Sequence, residues 1–132
     1  MRTRTIQLVS SAIETATGAA LIAVPDLVAR VLLGATFADS GVAVARIAGC
    51  GLLALGMACW PSSGGVSQQA TRALFTYNLI AGLYLGYLRV GGGFVSYLLW
   101  PACALHLMFG LLLARPAFEK GSSANTSRTR ML

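Results

Sequence analysis

Four side chains in this chain of 132 residues are of types that do chemistry: Glu14, Arg46, Asn78 and His106. Each is the most strongly polar residue of a long apolar block. A carboxylate holds a proton or a cation, and a guanidinium holds an anion or that same carboxylate. An imidazole changes charge near physiological pH, its unperturbed pKa being about 6.5. The setting makes these residues conspicuous. Within SAIETATGAALIAV, residues 11–24, Glu14 has apolar or small neighbours for about a turn on either side. At the centre of a lipid-facing helix an acid costs roughly 2.5–3.5 kcal/mol. Glu14 therefore needs a partner and a reason. Ionisable groups in such segments face a bundle interior or a wet cavity and are paired.

The blocks that carry these residues read as membrane spans. The composition is 56% hydrophobic and 11% charged, whereas a soluble domain carries about 25% charged residues. Mean hydropathy is +0.71. Apolar residues fall into four blocks, 5–24, 42–60, 73–88 and 94–114. A bilayer crossing takes about 20 residues. The third block has only 16 and reaches length if Arg72 and Arg89 snorkel as end anchors. The expected fold is all-α: an integral membrane, antiparallel four-helix bundle forming one domain, residues 1–120. A small polar tail, GSSANTSRTRML at 121–132, is expected to be disordered in the cytoplasm.

Charge orients the spans. Arg2 and Arg4 precede the first, Arg72 lies between the second and third, and Arg115, Lys120, Arg128 and Arg130 follow the fourth. The opposite loops hold Arg30 and Arg89, with Asp26 and Asp39 diluting the first. The positive-inside rule puts both termini in the cytoplasm. The net charge of +6 is then a topology signal. Nucleic acid is excluded as a partner, because the basic residues flank spans and do not interleave with aromatics. The basic start resembles a signal peptide, but Glu14 interrupts the apolar core and hydrophobicity continues past any plausible cleavage point.

Depth and face bring the four polar residues toward one layer. At 1.5 Å per residue, Glu14 lies about 15 Å above Arg4, Asn78 about 9 Å above Arg72 and His106 about 13 Å above Arg115. Arg46 starts about 21 Å above Trp60, nearer the outside. Its long side chain either reaches down to Glu14 or snorkels outward. On the first span Gln7, Ser10, Ser11, Glu14, Thr17 and Gly18 form a polar-to-small stripe at helical spacing. On the second, Arg46, Gly49 and Cys50 are expected to share a face. On the third, Gly82 and Gly86 make the small-xxx-small pattern that lets helices pack closely.

Other features are structural in this reading. Cys50, Cys59 and Cys103 lie in spans with no disulfide or metal spacing, and are read as small apolar packing residues. His106 has no second His or Cys at ligand spacing, so no metal site is expected, and no cofactor is identified. No nucleophile elbow, phosphate loop or zinc motif occurs, which leaves no catalytic residue to name and weighs against an enzyme. Pro25-Asp26 ends or kinks the first span. The stretch LVARVLLG at 27–34 is either a short amphipathic helix in the outer interface, closed by Gly34, or a continuation past a kink. Pro101 is expected to kink the fourth span.

The layout resembles that of DoxX-like small bacterial membrane proteins. The features that carry the resemblance are four spans, a first loop longer than the last, and Val24-Pro25-Asp26-Leu27 followed by Val31-Leu32-Leu33-Gly34. It covers residues 5–114 in layout. It implies a four-span fold in the bacterial cytoplasmic membrane and, that group being functionally mixed, no single activity. Two functions follow from the residues. One is a non-enzymatic accessory or assembly component of a membrane complex, or a homo-oligomer, whose polar layer specifies packing. The alternative is a protein that binds or translocates a proton, a small ligand or a lipid head, with Glu14, Arg46, Asn78 and His106 as its site.

Overall fold

The computed structural model describes residues 3–62 and 64–119. Among them the named elements are all helices: α1 Thr3–Ala23, α2 Pro25–Leu33, α3 Asp39–Ala58, α4 Gln68–Val90 and α5 Leu99–Phe118. Three helices, α1, α3 and α5, are long and apolar enough to cross a membrane. α4 has the length, 23 residues, but its ends carry Gln68, Gln69, Arg72 and Arg89.

Local chemistry sets the boundaries. Pro25 occupies the first turn of α2, where a helix has no use for its missing N–H, and Asp26 follows at the positive end of the helix dipole. Residues 25–33 are thus a separate helix rather than a kinked extension of α1. Gly34 closes it at φ 70°, its N–H bonded to the Arg30 carbonyl at 3.0 Å. That left-handed conformation is one glycine adopts without a Cβ penalty. Ser67 starts α4, its hydroxyl accepting from the Ala70 N–H at 3.4 Å, so this helix begins five residues before the apolar block at 73. α5 begins at Leu99 rather than at 94, which places Pro101 in the first turn. Pro101 therefore sits where a proline is tolerated, and the kink expected from it has no hydrogen bond to break.

The helices associate as two antiparallel pairs, α1 with α3 and α4 with α5. Between the two pairs the contact is sparser, and α1 makes most of it, to α4 and α5. Within each pair glycines permit close approach. A Cβ on Gly18 would lie 2.7 Å from the Gly49 carbonyl oxygen, and one on Gly49 would lie 2.8 Å from that of Gly18. In the second pair a Cβ on Gly82 would meet the Leu107 side chain at 2.8 Å, whereas one on Gly86 would touch only Cys103 Sγ at 3.4 Å. Gly82 thus carries the close approach and Gly86 makes ordinary contact. α2 lies across the end of the molecule opposite the start of α1, and the Ser96 hydroxyl donates to the Val31 carbonyl at 2.5 Å.

Between the pairs the core is stratified. Near the start of α1, Ile6, Cys59, Leu74, Phe109 and Leu113 form a buried apolar cluster. One turn further along α1 the buried side chains become polar: Ser10, Ser11 and Glu14, facing Asn78. The outside is the reverse. Val44, Ile47, Ile80, Leu83 and Leu111 are each more than half exposed.

Candidate functional site

The polar layer is built from three helices. α1 contributes Ser10 and Glu14, a turn apart on its buried face. α4 contributes Asn78, which is fully buried, and its neighbour Tyr77. α5 contributes His106, whose side chain is 15% exposed. Their bonding determines orientation. The Asn78 Nδ2 group donates to the Leu74 carbonyl at 2.9 Å and to Ser10 Oγ at 3.1 Å. A carbonyl only accepts, so the amide nitrogen is fixed on that side and Oδ1 faces His106. His106 Nδ1 lies 2.9 Å from Asn78 Oδ1. Oδ1 also only accepts, so Nδ1 must carry the proton. The second ring nitrogen, Nε2, is left to take up or release a proton.

Glu14 completes the layer. Its carboxyl oxygen Oε1 lies 3.9 Å from His106 Nδ1. Tyr77 stacks edge-on against His106, with ring centroids 5.8 Å apart. Glu14 is only 1% exposed, and Oε1 has no hydrogen-bond partner. Two further buried oxygens on the same face of α1 are also unpartnered: Gln7 Oε1 and Ser11 Oγ. Gln7 is held by its other end, Nε2 donating to the Cys59 carbonyl at 2.8 Å.

The four residues singled out by type are divided by the structure. Glu14, Asn78 and His106 come together. Arg46 does not join them: it is exposed and lines a groove with Asp26 and Arg30 at the α2 end of the molecule. The reason is depth. Gly49 packs against Gly18 and Gly56 against Ser11 and Thr15, so the level of Glu14 falls between those two glycines, whereas Arg46 lies beyond them beside Ala23 and Val24 at the end of α1. Cys50 is likewise exposed rather than packed, unlike Cys59 and Cys103. Among the described residues no arginine or lysine pairs with Glu14.

Tyr77 and Ser10 are members that sequence reasoning underweighted. Ser10 already lay on the polar stripe of α1. Tyr77 gave no signal, because a tyrosine beside an asparagine in an apolar block is equally at home in a lipid-facing belt. Among the described residues no group of three His, Cys, Asp or Glu side chains is arranged to hold a metal. Comparison with protein-family models, curated proteins and solved structures finds no match to this chain.

Proposed function

We propose that the protein resides in the bacterial cytoplasmic membrane, crosses it four times with both termini inside, and uses the Glu14–His106 layer as a protonatable binding site. The observation that carries the reading is the burial of Glu14 with an unpartnered oxygen and with His106 as its nearest basic group. A carboxylate placed only to fix helix register would be served by a permanent cation or replaced by glutamine, since an ion without a full set of partners is costly to bury. A carboxyl group beside an imidazole instead couples two titrations: His106 Nδ1 keeps its proton toward Asn78, and the charge of Glu14 3.9 Å away influences whether Nε2 takes up a second. The pair is either acid with neutral imidazole or carboxylate with imidazolium. Asn78 holds the imidazole in place through either state.

Membrane residence is supported by the apolar exterior and polar interior, the inverse of a soluble protein. Aromatics add to it. Tyr84, Tyr87, Tyr97 and Trp100 are exposed toward the α2 end, and Trp60 follows α3 at the other. Such belts mark the two interfaces of a bilayer. α4 counts as the fourth crossing because its arginines are at its ends and Asn78 is turned inward. The layout shared with DoxX-like proteins agrees with this placement.

The test uses the fact that His106 is the only histidine in the chain. Its imidazole resonance, followed by NMR against pH in lipid nanodiscs, should titrate in the wild type. Glu14→Gln should move the midpoint while leaving the fold intact. An unchanged midpoint would show that the two groups are not coupled.

The accessory-component reading has one observation of its own. α3 packs on α1 and α2 and leaves a broad apolar face, with Val44, Ile47 and Met57 each at least 63% exposed. A neighbouring subunit or a second copy would seat there. Mild-detergent cross-linking from Ile47→Cys would capture it, and a monomeric product would count against it.

A further inference from the structure

The two arginines that the polar layer does not use, Arg30 and Arg46, converge from different helices. They line one groove of about 370 Å³ between α2 and the first half of α3, together with Asp26, Pro25 and Val42. Small-ligand sites span roughly 300–1,000 Å³. Neither arginine is ion-paired to Asp26 or to any other acid among the described residues. An Asp and an Arg four apart on one helix, as Asp26 and Arg30 are, would ordinarily pair. Here both remain available to whatever enters the groove. With two positive groups and one negative, the lining carries a net charge of +1 (2 − 1), which a monoanionic phosphodiester would neutralise.

A second groove adjoins it. This one, of about 510 Å³, is almost wholly apolar and runs between α1 and α2 past Ala16, Ala20, Val28 and Leu32. Val24 and Leu27 line both grooves. A cationic groove thus meets an apolar one at the α1–α2 corner, at the end of the molecule where Tyr97 and Trp100 are exposed. The paired chemistry is that of an amphiphile with an anionic head.

We infer that this corner binds a monoanionic glycerophospholipid, its phosphate held between Arg30 and Arg46 and an acyl chain laid along the α1–α2 groove. Arginine suits the head because its planar fork meets two phosphate oxygens at once. The inference also explains Arg46. Its backbone lies about 10 Å inside α3 from Asp39, at a depth where an arginine is expensive unless it reaches a headgroup or a counter-charge. Asp26, exposed in the same lining, disfavours a second negative charge and so selects a singly charged head over a more highly charged one.

The inference rests on the membrane reading, and the experiment separates the two. Alkaline extraction of membranes containing the full chain comes first. Retention in the pellet supports membrane residence, and release would overturn both that reading and the lipid site. The purified chain in mild detergent is then challenged with phosphatidylglycerol and phosphatidylcholine of identical acyl chains, and bound lipid is counted by native mass spectrometry. The wild type should retain phosphatidylglycerol on the order of tenfold better than phosphatidylcholine, a difference that alters the binding constant by one decade. R46Q should reduce that preference several-fold and R30Q/R46Q should remove it. Both side chains are exposed, so the variants keep their fold. A16F, which fills the apolar groove from an exposed position, should weaken retention of the lipid and leave the headgroup preference in place. Equal retention of the two lipids by the wild type would overturn the site. So would undiminished preference in the double variant. Displacement of the lipid by inorganic phosphate at matched concentration would show that the arginines serve free phosphate instead.

Discussion

Asn78 is the residue on which the polar layer turns. It donates twice, to Leu74 and Ser10, and accepts from His106, so one side chain ties α1, α4 and α5 together. Replacing it by alanine leaves Ser10 and His106 with buried unmet bonds, at a cost of about 1–3 kcal/mol. Asn78→Ala should therefore lower Tm in detergent and alter the His106 titration together. A normal Tm would mean that the bonds are remade by neighbours. Glu14→Gln should behave in the opposite way. It removes the transferable proton but keeps the shape and one acceptor, so stability should hold or rise slightly, as buried functional charges are commonly stability liabilities. A large loss of stability in Glu14→Gln, with the His106 titration unmoved, would favour a register pin.

At the scale of the elements, the α1–α3 pair depends on backbone approach rather than on interlocking large side chains. Without a hydrophobic drive between helices in lipid, close van der Waals contact across small residues becomes the main source of association. Gly18→Ala puts a methyl group 2.7 Å from the Gly49 carbonyl oxygen, a backbone atom that cannot swing away. The expected cost is about 1–3 kcal/mol, read as a lower midpoint in a denaturant titration. Gly51 is the control. It is exposed on α3, the other helix of the pair, with nothing within 4 Å of an added Cβ, so Gly51→Ala should stabilise by about 0.5–1 kcal/mol through helix propensity alone. Equal effects at both glycines would show that propensity, not packing, governs the pair. The α4–α5 pair has an additional fastening at its other end, where Arg72 Nε donates to the Ala117 carbonyl at 2.8 Å.

The whole molecule has an apolar exterior, a polar layer between two helix pairs, and a short helix laid across one end. The four crossings proposed would place the loops at 34–38 and 91–98 on one side and the connection between α3 and α4 on the other. Alkaline phosphatase fusions after residue 36 and after residue 92 should be active, and a fusion after residue 66 should be inactive. Activity at all three positions would remove α3 and α4 as crossings. The same layout explains why the lipid corner and the proton layer are independent. They lie on opposite sides of the Gly18–Gly49 approach, so Arg46→Gln should leave the His106 titration unchanged.

Much of this was legible in one dimension. Hydropathy blocks located the long helices because lipid-facing surface demands long uninterrupted apolar runs. The polar stripe on α1 identified its buried face, since polar residues in such a run have nowhere to go but inward. Pro25, Asp26 and Gly34 marked α2, because caps and breakers act locally through backbone geometry. Helix ends were less exact where polar residues extended a helix beyond its apolar block, as at Gln68. What only the tertiary structure decided was partnership. Arg46 and Glu14 are a natural pair by charge, yet which turn of α3 meets which turn of α1 is set by where Gly49 and Gly56 allow the backbones to touch. That contact puts Arg46 beside Ala23 and Val24 at the end of α1 and leaves Glu14 to His106. Helical position is a property of the chain, whereas the offset of one helix along another is determined by close packing across it.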